Sequence, residues 1–137
     1  MESVRALPLA GSIAGARGVF AVRAFAPGDF IARFEGIDTA ERTRMSLQFG
    51  HERHVEPAEE NPLRFLNHAC EPNAAFGNGD PARDRDLFAV RAIAPGTEIT
   101  FDYNAHEDEL SHPFECRCGS ARCVGLVRGR NFRGAVS

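Results

Sequence analysis

Apolar and polar residues alternate over short stretches of this chain, the period-two pattern of half-buried strands, and a helical period is never sustained. The clearest stretches are near-copies of each other. Phe20 to Gly28 reads FAVRAFAPG and Phe88 to Gly96 reads FAVRAIAPG, identical at eight of nine positions at an offset of 68. Each copy predicts a strand, a tight Ala-Pro-Gly reversal and a second strand, Phe30 to Phe34 in the first and Glu98 to Tyr103 in the second. Two similar hairpins are therefore expected to frame the middle of the protein, as an internal echo rather than a repeat array.

Weaker signals fill in the rest. Ala6 to Ala16 is broken by Pro8, Gly11 and Ser12, and Glu2 stands where a secretory leader would be basic, so the segment reads as a first strand. Gly15-Ala16-Arg17-Gly18 is a small-residue loop where backbone can approach a ligand closely. Asp38-Thr39-Ala40-Glu41 has the form of a capping box and predicts one short helix over about Thr39 to Met45. Ser46 to Gly50 and His54 to Val55 read as short strands, Glu56 to Pro62 as a proline-bounded loop, and Leu63 to Leu66 as a short buried strand. Ala74 to Asn78 gives a further strand, Gly77 to Asp86 a polar hairpin loop and Asn104 to Pro113 a polar linker. The Gly/Arg-rich sequence after Leu126 reads as a frayed tail.

Composition narrows the class. With 137 residues, 43% apolar, 26% charged and 13 glycines, the chain suits one turn-rich globular domain. The net charge of −3 and the acidic residues scattered among the arginines argue against a direct nucleic-acid partner, which needs a concentrated cationic face. No apolar run approaches a membrane span. All 16 basic residues are arginine; there is no lysine.

The candidate chemistry lies in RFLNHACEPN, Arg64 to Asn73, and in the cysteines that answer it forty-six positions later. Cys70 joins Cys116, Cys118 and Cys123, a C-x-C-x4-C run, and four thiolates from two distant segments fit a closed structural zinc. His51 and His54 also form an H-x-x-H, but two histidines alone close nothing. With the N-terminus read as a strand and not a leader, the cytoplasm is the expected location, where thiols stay reduced and cysteine clusters bind metal rather than pair. Asn67 and His68 break an apolar run, as functional positions often do, although a turn residue and a satisfied buried imidazole would read the same way.

N-H-x-C-x-P-N, then Phe101-Asp102-Tyr103, then C-x-C-x4-C, in this order and spacing, resembles the SET-domain protein lysine methyltransferases from about Arg17 to about Leu126. The resemblance implies a mainly β fold, the β-clip, with several short twisted sheets, one short helix and a knotted C-terminal segment that brings Asn67, His68 and Tyr103 together. It divides the chain into a SET domain at residues 1–114 and a post-SET zinc-binding tail at 115–137.

By the same resemblance the cofactor is S-adenosylmethionine, leaving as S-adenosylhomocysteine, and the substrate is a lysine-bearing protein or peptide. Tyr103 becomes the catalytic residue, and Ala16, Arg17, Gly18, Asn67, His68, Tyr103 and Phe114 the cofactor contacts, with Phe114 stacking on adenine. Phe101 and Phe34 line the lysine channel, and phenylalanine at 101 implies di- or trimethyl products. Asp102 is expected to be structural. Two positions depart from the family pattern: Ala16 replaces the first glycine of G-x-G, and Phe34-Glu35-Gly36 stands where a tyrosine is frequent. A lysine-free chain cannot methylate its own side chains. The rival expectation is a non-catalytic SET-like zinc module that binds a partner or cofactor without turnover, and a homodimer would complete the substrate groove of so small a domain.

Overall fold

The computed structural model describes residues 3–8, 17–43, 46–49, 53–103, 114–115, 121, 123 and 126–127. The chain forms strands β1 (Val4–Pro8), β2 (Arg17–Ala21), β3 (Phe30–Arg33), β4 (Gly36–Thr39), β5 (Leu47–Gln48), β6 (His54–Pro57), β7 (Asn67–His68), β8 (Ala74–Phe76), β9 (Asp86–Ala89), β10 (Glu98–Phe101), β11 (Phe114–Glu115) and β12 (Leu126–Val127). They assemble into four small sheets, ordered β1-β2-β10-β7, β3-β9-β8, β4-β6-β5 and β11-β12. Every pairing is antiparallel except β7 with β10, which is parallel.

The two echo segments do not close as separate hairpins. β2 pairs with β10 and β3 with β9, so each Ala-Pro-Gly turn carries the chain from one sheet to another. Between the strands the two copies bind one another. Phe25 and Ile93 exchange backbone bonds of 2.9 Å, Gly28 N–H donates to Ala89 O at 2.7 Å, and Gly96 N–H donates to Ala21 O at 2.8 Å. Ala21 N–H reaches Thr97 O at 3.0 Å, and Ala89 N–H reaches Asp29 O at 2.9 Å. Each bond has its mate 68 residues away, which makes the frame a pseudo-twofold. Gly28 and Gly96 both take positive φ, 89° and 83°, a conformation glycine adopts without steric cost.

The core repeats that symmetry. Val19, Ala21, Phe25 and Ile31 are buried in the first copy, and Leu87, Ala89, Ile93 and Ile99 occupy the same positions in the second. Each large side chain buried in this way contributes roughly 1.5–3 kcal/mol by transfer from water. The echo is thus a packing device in which one sequence supplies both halves of a core.

Two local expectations fail for identifiable reasons. No helix forms at Thr39: the residue ends β4, opposite His54, and Ala40 and Glu41 are bends; Arg44 and Met45 lie outside the described residues. Instead of a capping box, Glu41 N–H donates to Thr39 Oγ1 at 3.0 Å, and Arg85 Nη1 meets Asp38 Oδ1 at 2.8 Å. The bond to Arg85 holds the Asp38 carboxyl below its ordinary range against an opposing desolvation effect, with the Arg85 and Arg53 charges adding to the lowering. Four residues of ladder with β6 outweigh the local capping signal, and Gly36 permits the approach, since a Cβ there would lie 1.9 Å from Glu56 O.

Leu63 to Leu66 is not a strand either; Pro62–Phe65 forms a 3₁₀ turn. Asn61 caps it by accepting Leu63 N–H at 2.9 Å, and Pro62 sits where a missing N–H costs nothing. The hairpin loop before β9 forms as expected, with Asp80 capping a 3₁₀ turn at Pro81–Arg83. Buried Asp86 closes that loop by binding both Arg33 and Arg83. In the tail, Val127 is fully buried and opposite Phe114, so the ordered chain extends past Leu126; 128–137 lie outside the described residues. The expected threading falls on 104–113, also outside them. Among the described residues no helix is long and apolar enough to cross a membrane.

Candidate active site

The 3₁₀ turn delivers the chain into β7 alongside β10, opposing Asn67 to Thr100 and His68 to Phe101. Ala69 N–H extends the pairing to Phe101 O at 3.1 Å. A parallel contact joins segments that run the same way, and Tyr103, two residues past the end of β10, lies against β7. Its hydroxyl donates to Leu66 O at 2.6 Å, and its backbone N–H donates to His68 Nδ1 at 3.0 Å. Asn67, His68 and Tyr103, separated by about 35 residues of sequence, therefore share one site.

Each group has a fixed orientation. Asn67 Nδ2 donates to Arg17 O at 2.9 Å and to Glu98 Oε2 at 2.8 Å, which commits both amide hydrogens and leaves Oδ1 as an acceptor. Asn73, the last residue of the motif, accepts Thr100 N–H on Oδ1 and donates from Nδ2 to Glu98 O, both at 2.9 Å, and so ties the motif to β10. The His68 side chain is wholly buried; its Nε2 lies 3.3 Å from Cys70 Sγ. Asp102 Oδ1 stands 3.5 Å from His68 Nδ1, a long contact with an atom already accepting from Tyr103.

Aromatic rings wall the site. Phe101 packs on Tyr103 at 4.9 Å between centroids, Phe76 on Phe101 at 5.3 Å, and Phe34 on Phe76 at 6.1 Å. Phe34 and Phe101 are each 1% exposed, and a run of ring contacts links Phe34 through Phe76 and Phe101 to Tyr103. Arg17 is exposed at the start of β2 with its guanidinium over Phe65, and Gly18 beside it is buried. Ala16, Cys116 and Cys118 fall outside the described residues, and only the backbone of Phe114 is described, in β11. Cys70 and Cys123 are both half-buried. Among the described residues no three metal-ligating side chains gather, and only two of the four cysteines are among them.

The SET-domain family model matches residues 16–104, most of the chain and all of this site up to Tyr103. The chain belongs to the SET-domain family. The H3 lysine-9 specific histone-lysine N-methyltransferase dim-5 of Neurospora crassa is 42% identical over 82 residues, 48% of this chain and 25% of that protein. Methyltransferase flvH of Aspergillus flavus is 34% identical over 107 residues, 72% of this SET chain and 55% of flvH. The chain thus spans about half or less of the length of these relatives.

Among solved structures, the methyltransferase domain of human SETMAR superposes with a TM-score of 0.66 at 21% identity, over 86% of this chain and 56% of that one. KRYPTONITE, in complex with mCHH DNA, H3(1-15) peptide and S-adenosylhomocysteine (SAH), superposes with a TM-score of 0.62 at 24% identity, over 85% of this chain and 28% of that one. These likenesses establish the SET fold, a mainly β architecture of several short sheets.

Sequence reading missed Glu98 and the Leu66 carbonyl. Glu98 lies in a strand with ordinary alternation, and nothing local marks it; its role exists only because β10 lies beside β7. The Leu66 carbonyl is a backbone group and leaves no trace in residue identity.

Proposed function

We propose that this SET chain is an S-adenosylmethionine-dependent protein-lysine N-methyltransferase, extending its product to di- or trimethyl-lysine. The observation that carries the reading is the Tyr103 hydroxyl, fixed on Leu66 O beside Asn67 and His68 and backed by an aromatic wall. When bound, the cofactor supplies a sulfonium methyl for in-line displacement by the lysine nitrogen.

The chain's own task is to present that nitrogen neutral, aligned and dry. At pH 7 about one free lysine in 2,500 is neutral. Apolar Phe101 and the rings behind it disfavour the ammonium by desolvation. Tyr103 has its proton committed to Leu66 O, which leaves its oxygen lone pairs to receive an N–H of the incoming amine, a positioning role. The Asn67 Oδ1 acceptor would suit an ammonium of the cofactor, and the Asn67 bond to Arg17 O ties the Arg17-Gly18 backbone, also in the proposed contact set, to that side chain. Ala16 and Phe114 complete the proposed contact set, and the substrate is a lysine-bearing protein or peptide.

One structural zinc on Cys70, Cys116, Cys118 and Cys123 would clamp the tail against β7. The donor set fits: four cysteines can supply four thiolates, and Cys70 Sγ faces a ring nitrogen at 3.3 Å that can donate to a thiolate and help orient it. The test is incubation with S-adenosylmethionine and lysine-bearing peptides, with elemental analysis of fresh protein. Methyl transfer lost in Tyr103→Phe and one zinc per chain are expected. Cofactor binding with no transfer to any lysine would favour the non-catalytic module, and metal-free protein would remove the zinc.

A further inference from the structure

His68 is engaged from both sides, and its contacts with Tyr103 N–H and Cys70 Sγ run in opposite directions out of the site. On one side a backbone N–H, from Tyr103, meets Nδ1 at 3.0 Å. A backbone amide can only donate, and at 3.0 Å it is the closer partner of Nδ1, with the Asp102 carboxylate oxygen at 3.5 Å a longer and weaker contact; the shorter bond therefore assigns the imidazole proton to Nε2. That N–H points at Cys70 Sγ, 3.3 Å away. The ring is wholly buried and meets the Tyr103 ring at 5.4 Å and 64°, so it cannot turn without disturbing the tyrosine. Ala69 N–H, bound to Phe101 O, pins the chain between the two contacts.

We propose that the His68 side chain is a positioning residue that couples the Cys70 thiolate of the zinc site to the backbone of catalytic Tyr103. The proposal rests on the zinc reading above. A metal fixes the direction of the Cys70 Sγ lone pairs; that direction sets the imidazole; the imidazole holds the Tyr103 amide and, through it, the hydroxyl on Leu66 O. Metal occupancy in the tail would then reach the tyrosine through two hydrogen bonds inside the ordered core. The bond to sulfur also makes His68 an outer partner of the metal, the kind of residue whose loss weakens metal binding roughly 10- to 100-fold.

Two variants separate the contacts. His68→Asn retains an acceptor at about the distance of Nδ1 from the backbone and loses the N–H aimed at sulfur. His68→Gln places an amide N–H at about the distance of Nε2 and loses the acceptor for Tyr103. Zinc transfer to a colorimetric chelator should be roughly 10- to 100-fold faster in His68→Asn than in the wild type and near wild type in His68→Gln. The cobalt-substituted protein should show a shifted thiolate-to-metal band in His68→Asn alone, while His68→Gln should lose kcat with zinc retained.

Wild-type protein that holds no zinc removes the zinc reading itself. Wild-type protein that holds zinc, with both variants releasing it at one rate, overturns the coupling and leaves the zinc in place. Independently of any variant, nitrogen NMR of the zinc-loaded wild type should find His68 protonated on Nε2; a proton on Nδ1 overturns the proposal.

Discussion

The two echo copies share eight of nine residues, yet only one leads into a candidate active site. After the first turn, β3 pairs with β9 and, among the described residues, ends its sheet there. After the second, β10 pairs with β2 in the equivalent way and then takes an extra neighbour, β7, on its other edge. Even the outer strands correspond, β1 flanking β2 as β8 flanks β9. Within these two sheets, among the described residues, the strand without a counterpart is Asn67–His68 itself. At the strand ends the copies diverge as well: Glu35 occupies the position that Tyr103 holds 68 residues later. The lesson is that a symmetric frame supplies rigidity, and chemistry sits where one strand breaks the symmetry.

The symmetric half of that comparison predicts the largest effect. Phe25→Ala and Ile93→Ala remove pseudo-equivalent side chains, each 2% exposed, and should cost about 3–5 and 2–5 kcal/mol in urea unfolding. A small cost at one position beside a large cost at the other would show that the two halves do not share one core.

The asymmetric half is sharpened at the strand ends. Tyr103→Phe should lower methyl transfer roughly 10²-fold or more with its thermal melt near wild type, because one positioning hydroxyl is lost. Glu35→Gln, at the exposed twin position, should turn over like the wild type. Equal losses in the two variants would place the site elsewhere.

A subtler change is expected at Phe101. A hydroxyl added there would hold a water in the space that a methyl group must occupy, so Phe101→Tyr should shift products toward monomethyl-lysine while preserving the first transfer. Product distributions after long incubation on one peptide decide it; an unchanged distribution would show that Phe101 does not face the lysine.

The smallest effect lies far from the site. Asp38 is exposed and its pKa is depressed by Arg85, so its contribution to stability is present above the ordinary value near 3.8 and lost as pH falls through the lower folded value. Asp38→Asn should have a slightly lower urea midpoint than the wild type at pH 7, and the gap should close in acid. A gap that persists at the lowest pH would assign the effect to something other than the ion pair.

How much of this was legible differs between site and frame. Strand positions around the echo follow from alternation, and the motif around Asn67 marks itself by interrupting an apolar run. Pairing partners did not follow, because a turn signal says that the chain reverses and not which strand it meets; here Phe20 meets Glu98 and Phe30 meets Phe88, strands far off in sequence. Asp38 to Glu41 shows local chemistry losing to a ladder with β6, and Asn61-Pro62 shows a cap signal overlooked beside an apolar run. Glu98 could be read only once β10 and β7 were adjacent.

The reciprocal bonding of Phe25 and Ile93 also has a temporal side. During synthesis the first copy emerges with its backbone groups and apolar face matched to a segment not yet made. It can complete neither sheet until the second copy follows. Closing so long a loop before any reward places folding with the slower β-rich domains, in milliseconds to seconds. Until then FAVRAFAPG has β1 to pair with along one edge only, and the natural competitor for its open edge is the same stretch on a neighbouring nascent chain.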